Sequence, residues 1–215
     1  WDGRAGTLEE QSGGPLTHPR EMGSTWPAIL GFLSGEPSYA QAFRECYADG
    51  VTEANVRDAI ATFERTLVTP GSRFDRYLTG DERAITDDER RGWETFQDIG
   101  CITCHQGINV GGNLFQRFGI ASDFFEDRGR VTESDLGRFA QTQRRSDAFK
   151  FKVPALRNVA QTAPYFHDGS VPTLEAAIRI MAQYQLGQRI SDEEVRLIAA
   201  FLGTLDADLP AGEER

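Results

Sequence analysis

Cysteine, methionine and histidine are all scarce in this chain of 215 residues, which holds three Cys, two Met and three His. So few thiols exclude a disulfide-built scaffold, and with no second cysteine pair a four-thiolate zinc site is excluded too. No apolar run approaches the length needed to cross a bilayer, and no signal peptide is visible. The chain is therefore expected to be soluble as it stands, with any targeting segment outside it. Strand-like alternation over several residues is nearly absent, as are internal repeats and low-complexity tracts. Positive charge is also in short supply. Twenty-three basic residues stand against 33 acidic ones, a net charge of −10. That balance argues against nucleic acid and against an anionic membrane surface, and leaves room for a basic partner.

What is present reads as helix. Hydrophobic residues make up 39% of the chain, enough for a core, while a mean hydropathy of −0.45 implies a very polar surface. Val56, Ile60, Phe63 and Leu67 recur at helical spacing behind a candidate N-cap at Thr52. Thr86-Asp-Asp-Glu89 and Ser191-Asp-Glu-Glu194 each have the form of a capping box opening a helix. Leu174, Ala177, Ile178 and Met181 mark a further apolar stripe. Gly13-Gly14-Pro15, Thr69-Pro70-Gly71 and Gly111-Gly112 read as punctuation. The fold class expected is all-α, with long loops wrapped around a cofactor. Pro70 to Thr86 looks like a junction between two parts.

The cofactor is announced by Cys101-Ile-Thr-Cys104-His105. Two thiols at this spacing can add across the vinyl groups of a porphyrin, and the adjacent imidazole can reach the iron, so C-x-x-C-H reads as haem c attachment. A thioredoxin-like pair would want a βαβ setting, and a zinc site would want two more ligands. Covalent haem attachment takes place outside the cytoplasmic membrane, so a periplasmic location is expected. Cys46 stands alone and reads as a buried small apolar residue. The iron's second axial position has four candidates: Met22, Met181, His18 and His167. Met181, on an apolar stripe downstream, is equally consistent with core packing and with ligation.

Several blocks in order resemble the bacterial di-haem cytochrome c peroxidases and their MauG-type relatives, over nearly the whole chain. Trp1-Asp-Gly-Arg-Ala-Gly-Thr-Leu-Glu-Glu-Gln11, Gly14-Pro15-Leu16 and Pro19-Arg-Glu21-Met22-Gly23 resemble that family's peroxidatic segment. Ala61-Thr-Phe-Glu-Arg-Thr-Leu67 and Ser72-Arg-Phe-Asp-Arg-Tyr77 resemble its interdomain region. Phe151-Lys-Val-Pro-Ala-Leu-Arg157 and Thr162-Ala-Pro164-Tyr-Phe-His167-Asp168-Gly169 resemble its C-terminal haem block. The family has two haem domains, and the first C-x-x-C-H would lie upstream of Trp1. The resemblance thus implies that residues 1–80 are the remnant of an N-terminal peroxidatic domain. Residues 81–215 would be a cytochrome c-like electron-transfer domain holding the high-potential haem, with a second haem c in the full-length protein.

The resemblance also implies roles. Glu21 matches the acid/base of the peroxidatic pocket, where a carboxylate moves a proton between peroxide oxygens. Gln11 matches an amide that orients peroxide, and Trp1 a ring between the two haems. Cys101, Cys104, His105 and Met181 match the anchors and axial ligands of the relay haem; the MauG-type branch has a tyrosine at the last position. Thr162 and Pro164 match backbone carbonyl donors to calcium. His167 is expected to hydrogen-bond near a propionate, and His18 to sit in a loop. The function implied is reduction of hydrogen peroxide to water, with electrons from a small c-type cytochrome or cupredoxin. Family members are often homodimers. The alternatives are a mono-haem electron carrier and a MauG-type enzyme that oxidises a partner protein.

Overall fold

The computed structural model describes residues 1–207. They divide into two compact units, one running from Arg4 to Val68 and the other made of Trp1–Gly3 with the chain from Thr69 onward. The last eight residues of the domain expected over 81–215 lie outside the described residues.

The Arg4–Val68 unit is four helices: α1 (Leu8–Thr17), α2 (Trp26–Gly35), α3 (Pro37–Cys46) and α4 (Glu53–Thr66). Thr7, Thr25 and Thr52 each cap a helix by accepting a backbone N–H three residues on, so the Thr52 start is as read from the sequence. The break expected at Gly13-Gly14-Pro15 is absent, because α1 runs through it. Gly13 leaves room there for the Arg57 guanidinium of α4, which lies 2.4 Å from where a Cβ would stand and would be displaced by one. Pro15 falls in the last turn of α1, where the helix still closes around it. Arg57 also covers the Trp26 ring at 5.0 Å. The α4 stripe is only partly buried, with Val56 inside but Phe63 57% exposed. Cys46 is exposed, not buried as expected, because α3 turns only Ala40 fully inward.

The second unit begins with α5 (Arg73–Leu78) and α6 (Asp87–Asp98) and ends with α9 (Leu174–Ile180) and α10 (Asp192–Gly203). Between them lie β1 (Phe115–Arg117), two single-turn helices, α7 (Phe124–Asp127) and α8 (Phe139–Thr142), and β2 (Lys150–Lys152). Both capping boxes form as read, Thr86 with Glu89 and Ser191 with Glu194. Glu89 also takes the Arg73 guanidinium, which ties α5 to α6. Helices α6 and α10 meet closely at Gly92, where a Cβ would come within 2.0 Å of the Leu197 carbonyl oxygen. Around that crossing Phe74 and Phe96 each pack on Phe201, with centroids 5.0 and 5.3 Å apart. A second aromatic core holds Phe118, Phe124, Phe125 and Phe151.

The all-α expectation holds, apart from one antiparallel pair, β1 with β2, in the register Phe115↔Lys152. Three-residue strands are too short to show alternation in the sequence. The two compact units divide at Val68. The reason is α5: Phe74 is 4% exposed in the core of the second unit, and its N–H bonds the Thr204 carbonyl. Among the described residues, no helix is long and apolar enough to cross a membrane.

Candidate haem site

Helix α6 stops at Gly100, whose φ of +99° turns the chain into a single 3-10 turn over Cys101–Thr103. Cys104 and His105 both send their N–H to the Cys101 carbonyl, at 3.2 and 3.0 Å. One tight turn therefore brings both thiols and the imidazole onto the wall of a single cleft. Met181 lines the same cleft, just beyond α9. The rest of the lining is mainly apolar, with Phe96, Phe118, Phe151 and Leu202 among it, and the open space totals about 1420 Å³ with its mouth included.

His105 lines the cleft from the end of that turn. Burial pushes its pKa down and keeps the ring neutral, while the Val110 and Pro154 carbonyls oppose that shift. Its Nδ1 lies 3.4 Å from the Val110 oxygen, which leaves Nε2 for a metal. Gly111 makes this possible. Its φ is +132°, and a Cβ there would come within 2.1 Å of the Pro154 oxygen and 3.2 Å of His105 Nδ1. Cys101 is pushed up to about 11 by burial, so it is a poor thiolate and a poor redox nucleophile. Both cysteines are free thiols. Among the described residues, the one His/Cys/Asp/Glu group spaced to hold a metal is Asp135, His167 and Asp168, and neither thiol belongs to it. Two thiols, a neutral imidazole and a thioether around an apolar cleft fit a haem c.

The Asp135 group is itself filled by a cation. Arg128 bridges Asp135 and Asp168, and His167 Nε2 meets Asp135 Oδ1 at 2.7 Å. Burial alone would raise the Asp135 carboxyl, but hydrogen bonds from Thr132, His167 and Arg128 outweigh it and hold the group at about 2. With Nε2 so engaged and its ring stacked 4.4 Å over Phe151, His167 is a structural member of the cleft wall.

The other residues singled out in the sequence are spread over both units. Trp1 lines the cleft, 53% exposed, and its carbonyl takes the Lys152 N–H at 2.8 Å. Thr162 and Pro164 stand at the cleft in a loop with a cis Ala163–Pro164 bond. Their two carbonyls would supply two of the six to eight oxygens a calcium ion takes. In the Arg4–Val68 unit, Gln11 is exposed on α1. Glu21 is exposed in the turn after it, 3.6 Å from His18 Nδ1. Met22 is 70% exposed in the same turn. Sequence reading missed Val110, Gly111 and Gln185; only the Gly111-Gly112 pair carried a signal, as a turn.

Comparison with known proteins bears on this arrangement. The family model "Di-haem cytochrome c peroxidase" matches residues 1–83, and "RoxA-like, cytochrome c-like" matches residues 151–182. The chain is 46% identical over 207 residues to cytochrome c peroxidase Ccp of Escherichia coli K12, covering 96% of this chain and 44% of that protein. It is 42% identical to the cytochrome c551 peroxidase of Nitrosomonas europaea, covering 98% of this chain and 62% of that one. A crystal structure of a MauG-like protein associated with microbial copper homeostasis superposes with a TM-score of 0.79 at 26% identity, over 94% of this chain and 69% of the other. The chain thus spans roughly half to three fifths of the length of these curated relatives.

Proposed function

Since this chain belongs to the bacterial di-haem cytochrome c peroxidases and their MauG-type relatives, we propose that it carries the electron-relay haem of a peroxidase. The full protein would reduce hydrogen peroxide to two waters, taking two protons from solvent and two electrons from a small c-type cytochrome or cupredoxin. The observation that carries this reading is the convergence of Cys101, Cys104, His105 and Met181 on one cleft. Two cysteines and two axial donors of different kind describe a closed haem that passes electrons.

Each residue then has a task. Cys101 and Cys104 would hold the porphyrin by thioether bonds. His105 offers Nε2 to the iron while Val110 holds its Nδ1. Met181, in the lining of the same cleft, would offer its sulfur to the iron, and the apolar lining would exclude water. A haem c held there supplies one-electron transfer at moderately high potential. In the peroxidatic part of the larger protein, Glu21 would carry a proton from one peroxide oxygen to the other, and Gln11 would orient the molecule by its amide. Trp1, at the cleft mouth, would lie on the electron's way out. Calcium at Thr162 and Pro164, a periplasmic location and a homodimer belong to the same reading.

The test is a haem count by pyridine haemochrome on the full-length gene product, paired with peroxide turnover using a reduced small cytochrome. Two haems per chain and turnover are expected. One haem and no turnover would make the protein a mono-haem electron carrier instead.

A further inference from the structure

Met181 opens the one π-helical segment among the described residues, Met181–Gln185. A π-turn misaligns backbone groups that a regular helix would pair, and such turns persist where outside contacts hold them. Here the holding side chain is Gln185. Its Oε1 accepts the Gly119 N–H at 2.9 Å, and its Nε2 donates to the Arg117 carbonyl at 2.7 Å. The Tyr184 carbonyl next to it accepts the Ala121 N–H at 2.9 Å. On the other side, Gln188 Nε2 donates at 3.1 Å to the carbonyl of Ile99, two residues before Cys101. The turn that carries the methionine is thus strapped both to the chain after β1 and to the helix end that delivers the thiols.

A thioether sits at the end of a flexible, unbranched side chain, so its direction depends on the backbone that carries it. Gln185 lines the same cleft as Met181, Cys101 and His105. A primary amide carries both an acceptor and donors, so this one side chain can take the Gly119 N–H and give to the Arg117 carbonyl. We propose that Gln185 is the positioning residue of the distal methionine, holding the Met181 turn on the 117–119 segment so that the sulfur faces the cleft. This rests on the reading of Met181 as an axial ligand given above.

The experiment uses the full-length holoprotein and three variants: Gln185→Leu, which can make neither bond, Gln185→Glu, which keeps only the acceptor, and Met181→Ala as reference. The readouts are the weak near-infrared sulfur-to-iron charge-transfer band of the ferric form, the midpoint potential, and imidazole binding at this haem. Losing two hydrogen bonds should strengthen imidazole binding about tenfold in Gln185→Leu. The band should weaken and the potential fall, with a smaller change of the same sign in Gln185→Glu. A generic loss of packing would leave band and potential where they were. If the band vanishes in Met181→Ala but all three readouts match the parent in Gln185→Leu, the positioning role is overturned while Met181 stays the ligand. Should the band be missing from the parent, or survive Met181→Ala, the ligand assignment fails and the positioning role with it. Where Gln185→Leu does not take up haem, Gln185→Glu decides by the same signs.

Discussion

The two units differ in how far they complete themselves. In the second unit Phe201 and Leu205 are fully buried and Phe125 is 1% exposed. In the Arg4–Val68 unit the buried apolar side chains are Ala40, Val56 and Ala61, while Phe32 is 67% and Phe63 57% exposed. Leu16, Ile29, Phe32, Leu33, Phe43 and Ile60 there line an open apolar groove. Both units have helices started by threonine or serine caps, so the contrast does not lie in local signals. It lies in what the helices close upon. One set closes on aromatic cores beside a cleft; the other presents an apolar face with no cover among its own residues. Capping decides where a helix begins, whereas burial supplies most of its stability.

The sharpest way to break the comparison is to remove what the second unit is built to hold. Replacing both thiols, Cys101→Ser with Cys104→Ser, should abolish covalent haem: stain should leave the polypeptide on a denaturing gel, and acidified organic solvent should extract the group completely. Retention of stain by the double variant would place the attachment elsewhere. The effect is all-or-none because the remaining thiol, Cys46, is single and lies in the other unit.

That outcome was legible in five consecutive letters, and so were both capping boxes, since each depends on residues within one turn. Other features were not. Cys46 looks like a core residue by type, yet its exposure depends on which face of α3 turns inward. Gly13-Gly14-Pro15 has the letters of a break, but α1 runs through it, with the guanidinium of Arg57, more than forty residues away, resting against Gly13. Gln185, in the cleft lining, bonds Arg117 and Gly119, 68 and 66 residues back. Contacts at such separations leave no mark in spacing. The family resemblance named Met181, but nothing near it in the sequence announces a π-turn.

Core substitutions should separate the units next. Phe201→Ala removes a fully buried ring from the centre of an aromatic cluster and should cost about 3–5 kcal/mol. Val56→Ala removes two methyl-sized groups' worth of a smaller side chain in the thinner unit and should cost roughly 1–2 kcal/mol. Residue-resolved amide exchange can assign each loss to its own unit, where a single melting temperature would blend them. Equal costs would mean that the Arg4–Val68 unit is as tightly packed as its neighbour.

The second unit should also answer to acid. Asp135 has a folded pKa of about 2 against an ordinary 3.8. A depressed carboxyl stabilises the fold fully above its unfolded value, and the contribution fades as pH falls from about 4 through about 2. Asp135→Asn should therefore lower stability at neutral pH and flatten that part of the acid limb. The unfolding midpoint followed from pH 5 to 2 in parent and variant is the check, and parallel curves would show that Arg128 and His167 do not hold the charge.

The smallest effect expected is the most informative about the open groove. Phe63→Ser trades a half-exposed ring for a small polar side chain, so in this chain it should change the stability of the Arg4–Val68 unit by no more than about 1 kcal/mol. The same substitution in the full-length protein asks a different question. If upstream chain or a haem covers the groove there, the ring is buried, and its loss should cost several times more, in the range of about 3–5 kcal/mol for a core phenylalanine. Amide exchange in α4 would read the difference in both settings. A small cost in both would mean that the apolar face stays open in the intact molecule.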